Sequence, residues 1–220
     1  MLLRKLPGIL VMGTVVTGLL MLGWGIRDPA GYFDSLARGV FLVLIVTALV
    51  SASLSAQAPA SQGTRTPPGQ RIVLALVQLV TLPLLVFLPF ADRRGMVVLR
   101  SEWIRWLGLA MVLAGNMIAV VAIRTLGKHY SVYVTIQDQH QLVQGGIYGV
   151  VRNPIYLGTL LLWPGACLVF RSWLGLPVFG FFLLFAVLRG AQEERVLRDE
   201  FGDEFEAYRR RTWRILPYIY

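Results

Sequence analysis

The sequence predicts an all-α integral membrane protein of about six transmembrane helices, the last two a short hairpin, followed by a cytoplasmic carboxy-terminal helix. Three observations carry that expectation. Of 220 residues, 56% are hydrophobic and only 15% are charged, and the mean hydropathy of +0.63 lies outside the range of ordinary soluble domains. The apolar residues gather into blocks close to the ~20 residues that cross a hydrocarbon core of about 30 Å, not into the short alternating segments of a barrel. The Lys and Arg residues collect at the ends of those blocks, so topology and anionic lipid account for a net charge of +9 without nucleic acid. In lipid a helix satisfies its own backbone hydrogen bonds segment by segment, which makes helices the form these blocks take.

The first block, 9–26, follows Arg4 and Lys5 as the core of a signal peptide does. It is long, however, and no small-x-small cleavage site precedes Arg27, so it is read as the first span. The second and third blocks, 36–56 and 71–90, flank QAPASQGTRTPPGQ (57–70), a polar Pro/Gly linker. The fourth covers 104–123. The polar stretch 127–153 carries both histidines, and within it 131–136 has strand-like composition with no partner strand. Runs 155–170 and 174–189 are short and joined only by Arg171-Ser172-Trp173, which makes them a hairpin. After Arg189 the chain turns charged and is expected to form a separate helix over about 191–211. The chain divides into amino-terminal membrane helices (1–106) and a carboxy-terminal functional region (107–220). Cys167, the single cysteine, lies in an apolar run, so no disulfide framework and no cysteine metal cluster is expected. Gln78 and Asn116, polar residues inside spans, either make interhelical hydrogen bonds or line a route for a hydrophobic ligand.

With the amino terminus inside and six crossings, 14 Lys and Arg residues fall inside and seven outside, which favours this orientation. The weak point is the loop from Ala91 to Arg105, which carries four of the outside arginines.

On this topology three polar stretches share the cytoplasmic face: His140 to Tyr148, Arg152 to Gly158, and Arg189 to Glu194. Each has an ordinary reading. Asn153-Pro154 suits a helix start, with a side-chain cap and a proline in the first turn. Arg189 and Glu193, like Glu194 and Arg198, are spaced for i,i+4 ion pairs. Arg209 to Arg211 suit an anchor against anionic lipid.

In combination, the order and spacing say more. The chain carries Leu126-Gly127, then His140, Leu142, Val143, Gly146, Tyr148, Arg152, Pro154, Tyr156 and Gly158, then a hydrophobic hairpin. Arg189, Glu193 and Glu194 follow, with Phe201, Gly202, Phe205, Tyr208, Arg214 and Pro217 after them. In these residues, over about 107–217, the sequence resembles the isoprenylcysteine carboxyl methyltransferase family and its phospholipid methyltransferase relatives. Asn153 stands where the eukaryotic enzymes commonly have histidine, and the fourth span lacks the Gly-x-Gly that phospholipid methyltransferases tend to carry.

The resemblance implies S-adenosylmethionine as methyl donor, held in a cytoplasmic pocket by His140, Leu142, Val143, Gly146, Tyr148, Arg152, Asn153, Pro154, Tyr156, Glu193 and Glu194. It implies Arg189 and Glu193 as catalytic residues, no metal, and a hydrophobic or lipid-like methyl acceptor. These residue types suit the ligand. Glu193 can take the ammonium, Tyr148 or Tyr156 can face the adenine or the sulfonium, and the helix start at Pro154 can present N–H groups to the carboxylate. Arg189 can hold an acceptor carboxylate, which needs no general base because it is ionised near neutral pH. An amine acceptor would need one, with Glu193 or Glu194 at hand. Besides carboxyl methylation, a lipid-amine N-methyltransferase, an NADPH-dependent enzyme of sterol-reductase type and a non-catalytic membrane protein stay open. Nineteen arginines against two lysines suggest a GC-rich genome, hence a multi-pass protein of a prokaryotic inner membrane.

Overall fold

The computed structural model describes residues 2–55, 70–127 and 142–219, and there the apolar runs fold as helices. In chain order these are α1 (Leu2–Trp24), α2 (Pro29–Phe33), α3 (Leu36–Ser55), α4 (Gln70–Arg94), α5 (Trp103–Leu126), a 3-10 turn at Gly146–Gly149, α6 (Pro154–Val169) and α7 (Gly175–Arg210). Four are long and apolar enough to cross a membrane: α1 from Leu6, α4 from Ala75, α5 and α7. The runs expected as spans two and five are helical too, at Leu36–Ser55 and Pro154–Val169, the latter only 16 residues long. At 1.5 Å per residue the 16 residues of α6 reach about 24 Å, less than a typical hydrocarbon core. The strand-like run 131–136 lies outside the described residues.

The short α6 is held by the tightest packing in the bundle. It runs antiparallel to α5, and glycines face each other at both ends of the crossing. A Cβ on Gly115 would stand 2.5 Å from the Gly158 carbonyl oxygen, and one on Gly108 would stand 2.6 Å from that of Gly165. The seven-residue spacing of each pair places both glycines on one face, two turns apart. Small residues let backbones approach where the hydrophobic effect no longer drives helices together.

The carboxy-terminal helix does not begin at about 191 as expected: the break comes at Gly202, and only a short helix runs from there to Arg210. One helix runs unbroken from the apolar Gly175 into the charged segment beyond Arg189. Its only internal departure from helical geometry is at Gly202, with φ 50° and ψ −120°. The sequence between Arg189 and Glu200 holds no proline, and Gly190 costs a helix only about 1 kcal/mol, so the change from apolar to polar does not end it. At Gly202 the positive φ is one that L side chains rarely adopt.

The helix ends segregate. Trp24, the start of α3, the end of α4, the start of α5 and the α6–α7 turn meet at one end, where Asp92 is enclosed by three arginines. Arg38 Nη1 lies 3.0 Å from its Oδ2, Arg105 Nη1 2.9 Å from Oδ2, and Arg171 Nη2 3.0 Å from Oδ1. Arg105 and Arg171 also engage Glu102, and Arg105 donates to the Val169 carbonyl. Arg38 stacks over Trp24 at 4.2 Å. With Arg93, which lies 3.3 Å from Asp28, four of the seven arginines counted outside are paired with carboxylates. Of the four arginines in the loop from Ala91 to Arg105, Arg105 and Arg93 are fastened to carboxylates in this way. The opposite end gathers residues 142–154, the last turns of α5 and the polar half of α7.

Candidate active site

Three elements build the site at this second end. Pro154 starts α6, as the Asn-Pro pair predicts, but Asn153 does not cap it with its side chain. Its amide nitrogen instead donates to the Arg214 carbonyl at 3.0 Å, fastening the carboxy-terminal segment to the head of α6. The Arg152 N–H donates to the Trp213 carbonyl at 2.8 Å, and the Trp213 N–H to that of Val150 at 2.9 Å. Segment 150–153 and segment 212–214 therefore run side by side. Gly190 faces this junction, where a Cβ would stand 3.6 Å from the Asn153 amide, an ordinary contact distance.

Beneath this junction lies Glu194, buried with 5% of its side chain exposed. Arg152 Nε binds its Oε1 at 2.9 Å, Arg214 Nε binds the same oxygen at 3.0 Å, and Arg214 Nη2 binds Oε2. Arg152 also donates to the Thr212 and Arg209 carbonyls. The expected Glu194–Arg198 pair does not form, because Glu194 points inward to these arginines while Arg198 pairs with Glu206 at 2.7 Å. Glu194 and Arg152, expected at the cofactor, are joined to each other. Arg214, named only as part of the motif, completes the node.

The second cluster lies one turn back. Arg189, buried with 8% of its side chain exposed, pairs with Glu193 at 3.2 Å as the spacing predicts. Between them stands Tyr156 of α6, whose hydroxyl accepts from Arg189 Nε at 2.9 Å and donates to Glu193 Oε1. Its ring packs edge-on against Phe185 at 5.9 Å. The Tyr156 hydroxyl and Arg189 Nε both reach Oε1 of Glu193, and among the described residues Oε2 takes no partner. The carboxylate is 27% exposed. The cluster is a fixed guanidinium beside a carboxylate with one free oxygen, at the point where α7 passes from apolar to polar.

The remaining expected residues distribute unevenly. Tyr148 is buried in the 3-10 turn, and its carbonyl accepts from the Tyr208 hydroxyl at 2.8 Å. Gly146 has φ 58° and sits against Thr125 of α5. Leu142 and Val143 are half-buried on the way into this turn. The N–H groups of Tyr156 and Leu157 return to the Asn153 carbonyl at 3.2 Å, so the α6 start offers a ligand fewer free donors than expected. His140 lies outside the described residues. Gln78 is exposed on α4. Asn116 does not use its amide nitrogen in an interhelical hydrogen bond, for that buried atom has no partner among the described residues.

The phospholipid methyltransferase family model matches residues 103–204. A rice protein described as a probable protein-S-isoprenylcysteine O-methyltransferase is 33% identical over 125 residues, 55% of this chain and 65% of its own length. The rat protein-S-isoprenylcysteine O-methyltransferase is 31% identical over 124 residues, 53% of this chain and 42% of its own. Over residues 103–204 the chain is thus similar to the phospholipid methyltransferases, and over an overlapping stretch of about 125 residues to the isoprenylcysteine O-methyltransferases.

The family likeness extends to the fold beyond the matched segment. The structure of the eukaryotic intramembrane Ras methyltransferase, an isoprenylcysteine carboxyl methyltransferase, superimposes with a TM-score of 0.62 at 20% identity. It covers 93% of this chain and 74% of that one. The chain covers less than two thirds of the length of the rice and rat relatives. Those members of the family are eukaryotic and lend no support to a prokaryotic inner membrane, whereas membrane integration accords with both fold and composition.

Proposed function

We propose that the protein is an integral-membrane methyltransferase that uses S-adenosylmethionine to esterify the carboxylate of a hydrophobic acceptor of isoprenylcysteine type. The observation that carries the reading is the Arg189–Tyr156–Glu193 cluster, set where a water-soluble donor and a lipid-dissolved acceptor can meet. The methyltransferase names of the relatives and the family's fold support it.

The residues fit the donor. Glu193 Oε2, without a partner among the described residues, matches an ammonium group. S-adenosylmethionine, when bound, supplies an electrophilic methyl group on a positively charged sulfur. The work of the chain is orientation: the acceptor oxygen, methyl carbon and sulfur must be collinear, and holding them so supplies most of the acceleration in a displacement of this kind. Arg189, low in dielectric and fixed on Nε by Tyr156 and Glu193, aims its guanidinium at the acceptor carboxylate. No proton needs to be removed from that carboxylate near neutral pH. The Glu194–Arg152–Arg214 node stands behind, holding the elements in register. In this reading the site faces the cytoplasm.

The test is calorimetric titration of the detergent-solubilised protein with S-adenosylhomocysteine and with NADPH. Binding of the first alone supports the proposal. Binding of NADPH alone would assign a reductase, and binding of neither a non-catalytic protein.

A further inference from the structure

We infer that the carboxy-terminal segment from Arg209 to Ile219 docks on the anionic headgroup surface of the protein's own bilayer, and that this docking tightens the site it closes. The second half of the inference rests on the methyltransferase reading; the first does not.

The segment returns to the membrane. Ile215 is fully buried in the same core as the transmembrane helices, and Leu216 packs against it. Residues on either side are held at the rim of the bundle. There the apolar side chains turn outward: Trp213 is 40% exposed, Tyr218 87% and Ile219 77%. The rings of Trp213 and Tyr218 lie 5.7 Å apart. Exposed aromatic groups at the end of a membrane bundle suit the headgroup level, where one side of the ring is apolar and the other wet.

The charge beside them is positive and incompletely matched. Arg209, Arg210 and Arg211 are exposed. Arg209 pairs with Glu206, which also serves Arg198, and Arg211 reaches the neutral Gln144. Arg210 has no acidic partner among the described residues. An apolar aromatic rim next to a run of three exposed arginines, of which only Arg209 has a carboxylate partner among the described residues, complements an anionic lipid surface.

The same segment fastens the site. Arg214 grips Glu194, its carbonyl receives Asn153, and the Thr212 and Arg209 carbonyls receive Arg152. Holding residues 209–219 against the bilayer therefore holds these bonds closed, and any ligand that needs the closed site gains affinity.

The experiment compares the full chain in nanodiscs of phosphatidylcholine with and without phosphatidylglycerol. Hydrogen exchange of residues 209–219 is expected to slow at least roughly threefold with the anionic lipid, an effect erased by high salt. The dissociation constant for S-adenosylhomocysteine should fall by a similar factor. Arg210→Glu should abolish both differences while binding the ligand in phosphatidylcholine as the native chain does. Equal exchange in the two lipids overturns docking, as does slowing reproduced in phosphatidylcholine discs by soluble inositol hexakisphosphate. Slowed exchange with an unchanged dissociation constant overturns the coupling. If S-adenosylhomocysteine binds in neither disc, the methyltransferase reading fails, while hydrogen exchange still decides docking.

Discussion

The Tyr156 hydroxyl accepts a hydrogen bond from Arg189 Nε at 2.9 Å, tying the first turn of α6 to the last apolar turn of α7. Because the phenol donates in turn to Glu193, one tyrosine sets the angle of the guanidinium and occupies one oxygen of the carboxylate. Tyr156→Phe should therefore lower turnover about tenfold by loosening Arg189, with the dissociation constant for S-adenosylhomocysteine changed less. Equal losses in turnover and ligand affinity would place Tyr156 at the donor.

Arg189→Lys separates the acceptor's chemistry from the donor's. Lysine keeps the charge but cannot reproduce a planar fork held on Nε while facing a second carboxylate. Turnover on a carboxylate acceptor should fall by about 100-fold, with S-adenosylhomocysteine binding within a few-fold of the native value by calorimetry. Loss of binding together with activity would make Arg189 a donor-site residue.

The two adjacent glutamates should behave oppositely. Glu194→Gln leaves Arg152 and Arg214 around a neutral amide in a buried site, and breaking such a pair costs about 3 kcal/mol. Its melting temperature should drop clearly, with or without ligand. Glu193, part-exposed and with Oε2 unpartnered among the described residues, should as Glu193→Gln melt close to the native protein but lose binding of S-adenosylhomocysteine. Thermal denaturation and calorimetry on both variants check the assignment.

At the other end, Asp92→Asn should be among the most damaging single changes. It leaves Arg38, Arg105 and Arg171 facing one another with only the exposed Glu102 for compensation, at a cost of about 3–5 kcal/mol. Glu102→Gln, 65% exposed, should cost less than about 1 kcal/mol. Similar melting temperatures for the two variants would contradict the network.

Much of the helical plan was legible because hydropathy reports burial in lipid directly, and each apolar run did become helical. The end of span six was not legible in the same way. A change of composition at Arg189 marks a change of solvent, not of backbone, and α7 passes through it to Gly202. At the site, the i,i+4 pairing of Arg189 with Glu193 follows from helix geometry alone. The partners of Glu194 do not, since Arg152 and Arg214 lie 42 and 20 residues away and reach it through tertiary packing. Asp92 offered even less: one of two carboxylates in an arginine-rich loop, joined to residues 54 and 79 positions distant. The signal available was the excess of arginines in a loop where topology disfavours them.

The glycine pairs give a sharper test of α5–α6 packing. Gly158→Ala places a Cβ 2.7 Å from the Gly115 carbonyl oxygen, and backbone cannot yield as a side chain can. The variant should lose about 1–3 kcal/mol, whereas Gly180→Ala, with open space around it, should leave the melting temperature unchanged or raise it.

The central claim is carboxyl methylation, and its most direct test follows the methyl group itself. The full chain, incubated with S-adenosylmethionine radiolabelled in the methyl group and with N-acetyl-S-farnesylcysteine, should yield labelled product that releases its label as volatile methanol in base. The rate should vary little between about pH 6 and 8, because a carboxylate with a reference pKa near 4 stays ionised throughout. Label that resists base, transferred to a lipid amine at a rate rising with pH, would contradict the account, as would no transfer from a protein that binds the donor.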